Sequence, residues 1–98
     1  MEAKFSHKDL DRLETDPKFD GGYPQEVVKM FRKRMQAIRA AKDERAFYAL
    51  KSLHFERLKG SRSDQHSMRL NDQWRLVVEI EGAGTEKIVL VVSIEDYH

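Results

Sequence analysis

The 98-residue chain has 18 Lys or Arg, 17 Asp or Glu and no cysteine, so its formal net charge is only +1. This length favours one domain over residues 1–98, and the lack of cysteine excludes a disulfide framework and a thiolate metal site. No apolar run approaches the roughly 20 residues that a membrane span needs, and charges from Glu2 onward argue against a signal peptide. We therefore expect a cytoplasmic protein.

The first half of the chain predicts a short strand followed by helices. Met1–Phe5 has a weak strand pattern, and Ser6 is a candidate N-cap for a helix over His7–Thr15. Asp16-Pro17 ends that helix, because proline disfavours helical geometry in the residue before it. A longer helix begins at Pro24 and extends to about Lys42. Its buried face is predicted by a single apolar stripe, which is formed by Val27, Phe31, Met35 and Ile38.

The second half of the chain predicts mainly strands. A short helical piece within 43–50 comes first, with Phe47 and Leu50 facing inward. Four strands follow, over Phe55–Leu58, Gln65–Leu70, Trp74–Ile80 and Lys87–Tyr97. The last contains the apolar run Ile88–Val92, which is typical of an interior strand covered on both faces. Without the short pieces within 43–50 and 55–58, the order is β-α-α-β-β-β, which favours an α+β fold with two helices on one face of a twisted antiparallel sheet.

Positive charge is concentrated in the middle of the chain. Residues 29–62 contain 11 Lys or Arg and 3 Asp or Glu, a local charge of +8, while both flanking segments are net negative. This distribution favours a local anion-binding surface. A solvated helix face is the alternative, because much of the charge lies on the longer predicted helix.

The segment Leu58–Ile80 reads as two strands joined by the polar turn Asn71-Asp72. Cations lie around and within this hairpin, at Lys59, Arg62, Arg69 and Arg75. Guanidinium groups on a rigid surface are suited to bidentate binding of a polyanion. Ordinary surface charges, or salt bridges to residues such as Asp72 or Glu79, are the alternative.

These residues carry a resemblance to a known family. Leu58-Lys59-Gly60 is followed by Arg62 and then by Ser-Met-Arg-Leu-Asn-Asp-Gln-Trp-Arg over residues 67–75, and the sequence closes with Asp96-Tyr97-His98. The chain closely resembles the HigB toxins of the RelE/ParE superfamily, over nearly its whole length. The resemblance implies a compact RelE-like fold and a ribosome-dependent endoribonuclease that cuts mRNA and inhibits translation.

The resemblance also implies a catalytic site at the end of the chain, formed by Asp96, Tyr97 and His98 together with Arg75. Histidine suits acid–base catalysis near neutral pH, and a nearby carboxylate can orient it. The family chemistry uses the RNA 2′-hydroxyl as nucleophile, so the resemblance implies no metal and no cofactor. Taken without the family, a terminal histidine is more often part of a disordered tail.

The RNA-binding candidates are Lys59, Arg62, Arg69 and His54. Arg62 and Arg75 stand where the family motif has arginine, whereas His54 is offset by about two residues from the internal histidine that some HigB toxins use. His66 could stack on a base, but packing is the preferred interpretation. Trp74 shares strand parity with Leu76 and Val78, which predicts a core residue rather than a base-stacking platform.

Two other functions stay open on the sequence. One is a non-enzymatic inhibitor of the gyrase-directed ParE type, and the other is a cationic module that binds a protein partner. The family resemblance implies a helix-turn-helix antitoxin, similar to HigA, as the cognate partner. It implies the ribosome and mRNA as further partners, no membrane, and contact with operator DNA only through the antitoxin.

Overall fold

The computed structural model describes residues 1–96. The two remaining residues of the predicted catalytic tail, Tyr97 and His98, lie outside the described residues. The described strands are β1 (Glu2–Phe5), β2 (Glu56–Arg57), β3 (Gln65–Arg69), β4 (Trp74–Glu81) and β5 (Ile88–Asp96). The described α-helices are α1 (Lys8–Thr15), α2 (Gln25–Ala40) and α3 (Arg45–Ala49), and short 3₁₀ turns cover Lys51–Leu53, Gly60–Arg62 and Gly84–Glu86.

The strands form one sheet in the order β1-β5-β4-β3-β2. β1 runs parallel to β5, with Glu2 opposite Ile88, and the other neighbours are antiparallel. The sheet is therefore mixed, where the sequence predicted an antiparallel one. A parallel pair needs a long crossover connection, and the whole chain between β1 and β5 supplies it. The α+β class, with helices packed on one sheet, is confirmed.

The helices cover one face of the sheet, which we call the covered face. The predicted stripe of α2 is confirmed, since Val27, Phe31, Met35 and Ile38 are at most 1% exposed. These side chains share one core with Leu10 and Leu13 of α1 and with residues of the central strands, namely Met68, Leu76, Val78, Val89 and Val91. Burying a side chain such as Phe31 contributes about 2 kcal/mol. The opposite side is the open face.

Some element boundaries differ from the prediction. Ser6 does not cap α1, because its backbone N–H donates to Val91 O at 3.0 Å and its hydroxyl to Val92 O at 2.6 Å, so it extends the contact with β5. His7 occupies the N-cap position instead. α2 ends at Ala40 rather than near Lys42, because Ala41 has extended backbone geometry.

The predicted helical piece after α2 is also shorter than expected. Phe47 is buried as predicted, but Leu50 is 48% exposed, so the prediction that it faces inward is wrong. α3 ends at Ala49, and the extended backbone of Leu50 breaks the helical periodicity. The following 3₁₀ turn brings Leu53 into the core instead, at 1% exposure.

Strand β5 lies inside the sheet, between β1 and β4, as its apolar sequence predicted. Val89 and Val91 are fully buried on the covered face. Ile88 and Leu90 are only half-buried, so the prediction that β5 is covered on both faces is wrong. The helices lie on one face, and no helix covers the other among the described residues.

A bulge changes which β5 side chains reach the open face. The β4–β5 register pairs Val78 with Val91 but Val77 with Ser93, so Val92 is an extra residue. Strict alternation would put Glu95 on the same side as Val91, in the core. The extra residue reverses the parity, as bulges do, and Glu95 lies on the open face opposite Arg75.

Candidate functional site

The β3–β4 hairpin places two predicted arginines side by side on the open face. The side-chain carbonyl of Asn71 accepts hydrogen bonds from the backbone N–H groups of Gln73, at 2.9 Å, and Trp74, at 2.8 Å. Such an Asx turn fixes the connection between the two strands. The register then sets Arg69 directly opposite Arg75.

Arg75 is held against this turn. Its Nη1 donates to Asn71 O at 2.6 Å and to Trp74 O at 3.1 Å, and the residue is half-buried. Arg69 forms an ion pair with Asp72, an exposed residue of the same turn. The turn therefore orients both guanidinium groups through its own polar atoms.

Arg62 reaches the same face from the 3₁₀ turn that precedes β3. Its Nη1 and Nη2 donate to the two carboxylate oxygens of Glu95, at 3.0 and 2.7 Å, and its Nε donates to Gln65 Oε1 at 3.0 Å. Ser93 Oγ donates to Glu95 Oε2 at 2.6 Å. The hydrogen bonds from Arg62 are the main cause that lowers the pKa of the Glu95 carboxyl below its ordinary value, so this carboxyl is ionised at neutral pH.

Glu95 joins the three arginines into one surface. Arg69, Arg75 and Glu95 are cross-strand neighbours on β3, β4 and β5, and Glu95 pairs with Arg62. We call these four residues the arginine face. It carries three positive charges and one negative charge, at the end of β5 where the described residues stop.

The other predicted site residues do not belong to the arginine face. Asp96 is exposed and lies opposite Trp74, on the parity of the covered face, and its Oδ2 accepts a hydrogen bond from Gln73 Nε2 at 3.0 Å. Lys59 is exposed at the start of the loop that leads to Arg62. His54 is exposed with a left-handed backbone, at φ 46°, after the first 3₁₀ turn. In the described part of the chain, no hydrogen bond or ion pair joins its side chain to the arginine face.

His66 packs on the covered face of the sheet, as preferred from the sequence. Its ring stacks on Phe55 with centroids 4.6 Å apart, and its Nε2 lies 3.4 Å from the Tyr48 hydroxyl. Burial, with a smaller contribution from the charge of Arg57, lowers the pKa of the His66 imidazole. This histidine is therefore neutral at pH 7.

Trp74 also packs against the core, as predicted. Its ring meets Tyr23 edge-on at 5.8 Å. Neither His66 nor Trp74 contributes an aromatic surface to the arginine face.

Sequence reasoning missed Glu95 and Gln65, the two residues that hold Arg62. Sequence alternation places Glu95 in the core, and no sequence signal marks the bulge that moves it. Asn71 was identified only as a turn residue, although turn chemistry could have suggested its role as an acceptor.

Residues 1–96 contain neither a metal-binding cluster nor a membrane-spanning helix. No group of three or more His, Cys, Asp or Glu side chains is arranged to hold a metal ion. None of the described helices is long and apolar enough to cross a membrane.

Comparison with known proteins identifies similar sequences and folds. A family model described as the RelE-like toxin of the type II toxin–antitoxin system HigB matches residues 3–98. A solved structure titled "YoeB/ParE toxin from Agrobacterium tumefaciens" is 19% identical with a TM-score of 0.64, and the match covers 100% of both chains. The YoeB dimer from Staphylococcus aureus is 19% identical with a TM-score of 0.55, covering 100% of this chain and 97% of that one. No curated protein sequence matches. At such identities the structural matches support the fold alone.

Proposed function

The chain belongs to the HigB family of RelE-like type II toxins, and from that premise we propose that it is a ribosome-dependent endoribonuclease that cuts mRNA and inhibits translation. The observation that carries the proposal is the arginine face. Three guanidinium groups from separate elements lie on the uncovered side of the sheet, and their turns and neighbours hold them in place. A rigid group of this kind is suited to a phosphate backbone.

The charge arrangement supports a role in binding anions. Arg69 and Arg75 are directly opposite each other on neighbouring strands, and like charges in that position destabilise a sheet. Asp72 and Glu95 offset part of this repulsion. A bound phosphate would offset more of this repulsion, so the arginine face is most stable when a polyanion is bound.

In the proposed reaction, the 2′-hydroxyl of the mRNA loses its proton and its oxygen attacks the adjacent phosphorus. The bond from phosphorus to the 5′-oxygen breaks, and that oxygen takes up a proton. The products are a 2′,3′-cyclic phosphate, or the 3′-phosphate after hydrolysis, and a 5′-hydroxyl. Negative charge grows on the non-bridging oxygens during this step, and preorganised cations stabilise it.

The residue roles follow from this chemistry. Arg62 and Arg75 bind the scissile phosphate, and Lys59 and Arg69 bind the flanking backbone. His98 is the proposed general acid or base with Asp96 supporting it, and Tyr97 positions the RNA or shares in the proton transfer. His54 is kept as a weaker RNA-binding candidate, because no hydrogen bond or ion pair joins its exposed side chain to the arginine face among the described residues.

In this proposal the ribosome orients the mRNA for cleavage, which the toxin alone does not do. An mRNA fixed in the decoding site is already oriented, and orientation can lower a barrier by several kcal/mol. A type II toxin has a cognate antitoxin. We propose a helix-turn-helix protein similar to HigA for this partner, with operator DNA bound through the antitoxin, and a cytoplasmic location beside the ribosomes.

Primer extension on a defined mRNA in a reconstituted translation reaction tests the proposal. The comparison includes the wild type, Arg75→Ala and His98→Ala, each with and without ribosomes. Lys33→Ala on α2 is the matched control, because it removes an exposed cation from the helical side. We expect cuts in the coding region only with ribosomes, reduced about 10²-fold or more in Arg75→Ala and His98→Ala, and unchanged in Lys33→Ala.

Other outcomes would change the proposal in defined ways. Cuts on naked RNA would keep the nuclease and remove the dependence on ribosomes. A folded wild-type protein that never cuts would overturn the nuclease proposal, and a gyrase supercoiling assay would then test the inhibitor alternative.

A further inference from the structure

Glu95 is a carboxylate placed within a surface proposed to bind RNA. It lies opposite Arg75 and accepts two hydrogen bonds from Arg62. Its side chain is 36% exposed, so the charge is close to any ligand on this face. A negative charge here opposes the binding of a polyanion, and the proposed reaction gives Glu95 no chemical step.

The contacts of Arg62 indicate what Glu95 does. A guanidinium has five N–H groups, and three are engaged by Glu95 and Gln65. One N–H on each terminal nitrogen has no partner among residues 1–96. The contacts from Glu95 and Gln65 fix the guanidinium plane, so these two groups have a set direction.

Glu95 is itself held in place. Its Oε2 accepts hydrogen bonds from both Ser93 Oγ and Arg62 Nη2, at 2.6 and 2.7 Å. Ser93 and Glu95 come from the segment of β5 beyond the bulge, and Gln65 comes from β3. The arrangement therefore connects the loop that carries Arg62 to the rigid part of the sheet.

We propose that Glu95 is a positioning residue that fixes Arg62 for the scissile phosphate, at the cost of weaker RNA binding. The inference rests on the proposed endonuclease and adds a residue to its site. Two opposite effects follow from one side chain. Orientation of Arg62 raises the rate of the bound complex, and the carboxylate charge lowers affinity for RNA.

Single-turnover cleavage on programmed ribosomes separates the two effects. Glu95→Gln removes the charge and one good acceptor while keeping the shape. We expect the rate at saturating toxin to fall about tenfold, because misplaced groups lose catalytic effect. We expect the half-saturating toxin concentration to fall about two- to threefold, because the repulsion between the carboxylate and RNA is removed.

The helical side offers a matched control. Arg39 donates to both carboxylate oxygens of Glu14 from its Nε and Nη2, each at 2.7 Å, so this is also a bidentate pair, although Arg62 uses Nη1 and Nη2. Glu14→Gln should leave both the saturated rate and the half-saturating concentration unchanged.

A double-mutant cycle tests whether Glu95 acts through Arg62. Arg62→Ala alone should lower the saturated rate about 10²-fold. Adding Glu95→Gln to Arg62→Ala should change that rate less than twofold. A further tenfold loss in the Arg62→Ala background would overturn the proposal, since Glu95 would then act on the substrate itself. An unchanged saturated rate in Glu95→Gln, with an active wild type, would also overturn it.

A spectroscopic measurement tests the arrangement without any cleavage. In ¹⁵N-labelled protein, the Nη–H signals of Arg62, assigned by their loss in Arg62→Lys, should exchange slowly with solvent, because Glu95 accepts from both Nη atoms, and should exchange faster in Glu95→Gln. Equal exchange in both proteins would overturn the positioning role. A slow signal in the wild type together with a complete lack of cleavage would overturn the proposed function, and the catalytic inference with it.

Discussion

The two faces of the sheet use their cations in different ways. On the covered side, Arg34 of α2 is 8% exposed and its Nε donates to the backbone carbonyl of Arg69 at 2.9 Å. In the helical layer, Arg32 donates to the carbonyls of Leu13, Asp16 and Phe19 at 3.0 to 3.1 Å. On the open face, Arg62, Arg69 and Arg75 are at most partly covered and lie together.

The difference shows that a block of positive charge is not by itself a binding surface. Residues 29–62 hold the excess of Lys and Arg, but Arg32, Arg34 and Arg39 in this block bond backbone carbonyls or Glu14. Burial, followed by the charge of Arg69, lowers the pKa of the Arg34 guanidinium, as expected of a cation with a structural role. Two of the three arginines of the arginine face, Arg69 and Arg75, lie outside the block.

The largest expected change in stability comes from removing one arginine from each face of the sheet. Arg34→Ala should lower the free energy of unfolding by about 2–3 kcal/mol, because it leaves the part-buried carbonyl of Arg69 without its charged donor. Arg69→Ala should cost less than about 1 kcal/mol, since its partner Asp72 is 96% exposed. Urea unfolding followed by circular dichroism measures both values. Equal losses would contradict the division of roles.

The hairpin turn contributes both to the stability of the protein and to the proposed activity. Asn71→Ala removes the acceptor for two backbone N–H groups, and we expect a loss of about 1–2 kcal/mol in the free energy of unfolding. Asn71→Asp keeps an acceptor at the same place and serves as the control. Cleavage should fall in Asn71→Ala even where the protein is folded, because Arg75 donates to the carbonyl of Asn71. Full cleavage activity in a folded Asn71→Ala protein would show that the turn does not position Arg75.

The smallest expected effect is a pH dependence of stability that comes from His66 on the covered face. Burial lowers the pKa of His66 in the folded protein, so the unfolded chain binds a proton more readily. Neutral His66 makes its full contribution to the free energy of unfolding above its unfolded pKa of about 6.5. That contribution is lost as the pH falls below this value. His66→Phe keeps an aromatic ring on Phe55 but does not titrate. Its urea midpoint should therefore fall less than that of the wild type between pH 7 and pH 5, and parallel profiles would contradict the assignment.

Much of the candidate site could be predicted from the sequence. The predicted hairpin over Leu58–Ile80 contains Arg62, Arg69 and Arg75, and the structure brings these three side chains to one face. Glu95 was missed because a cross-strand pair depends on register between distant segments. The roles of Tyr97 and His98 stay predictions, since both lie beyond the described residues.

The sequence by itself determined the α+β class, the apolar stripe of α2 and the interior position of β5, because each follows from a local periodicity or an uninterrupted apolar run. Only the tertiary structure decided the parallel β1–β5 pairing and the face on which Glu95 lies. The extra residue Val92 reverses the alternation of the last strand, so Glu95 meets Arg62 and Arg75 while Asp96 turns toward Trp74. A bulge is fixed by the pairing of two strands, and the sequence of one strand does not contain that information.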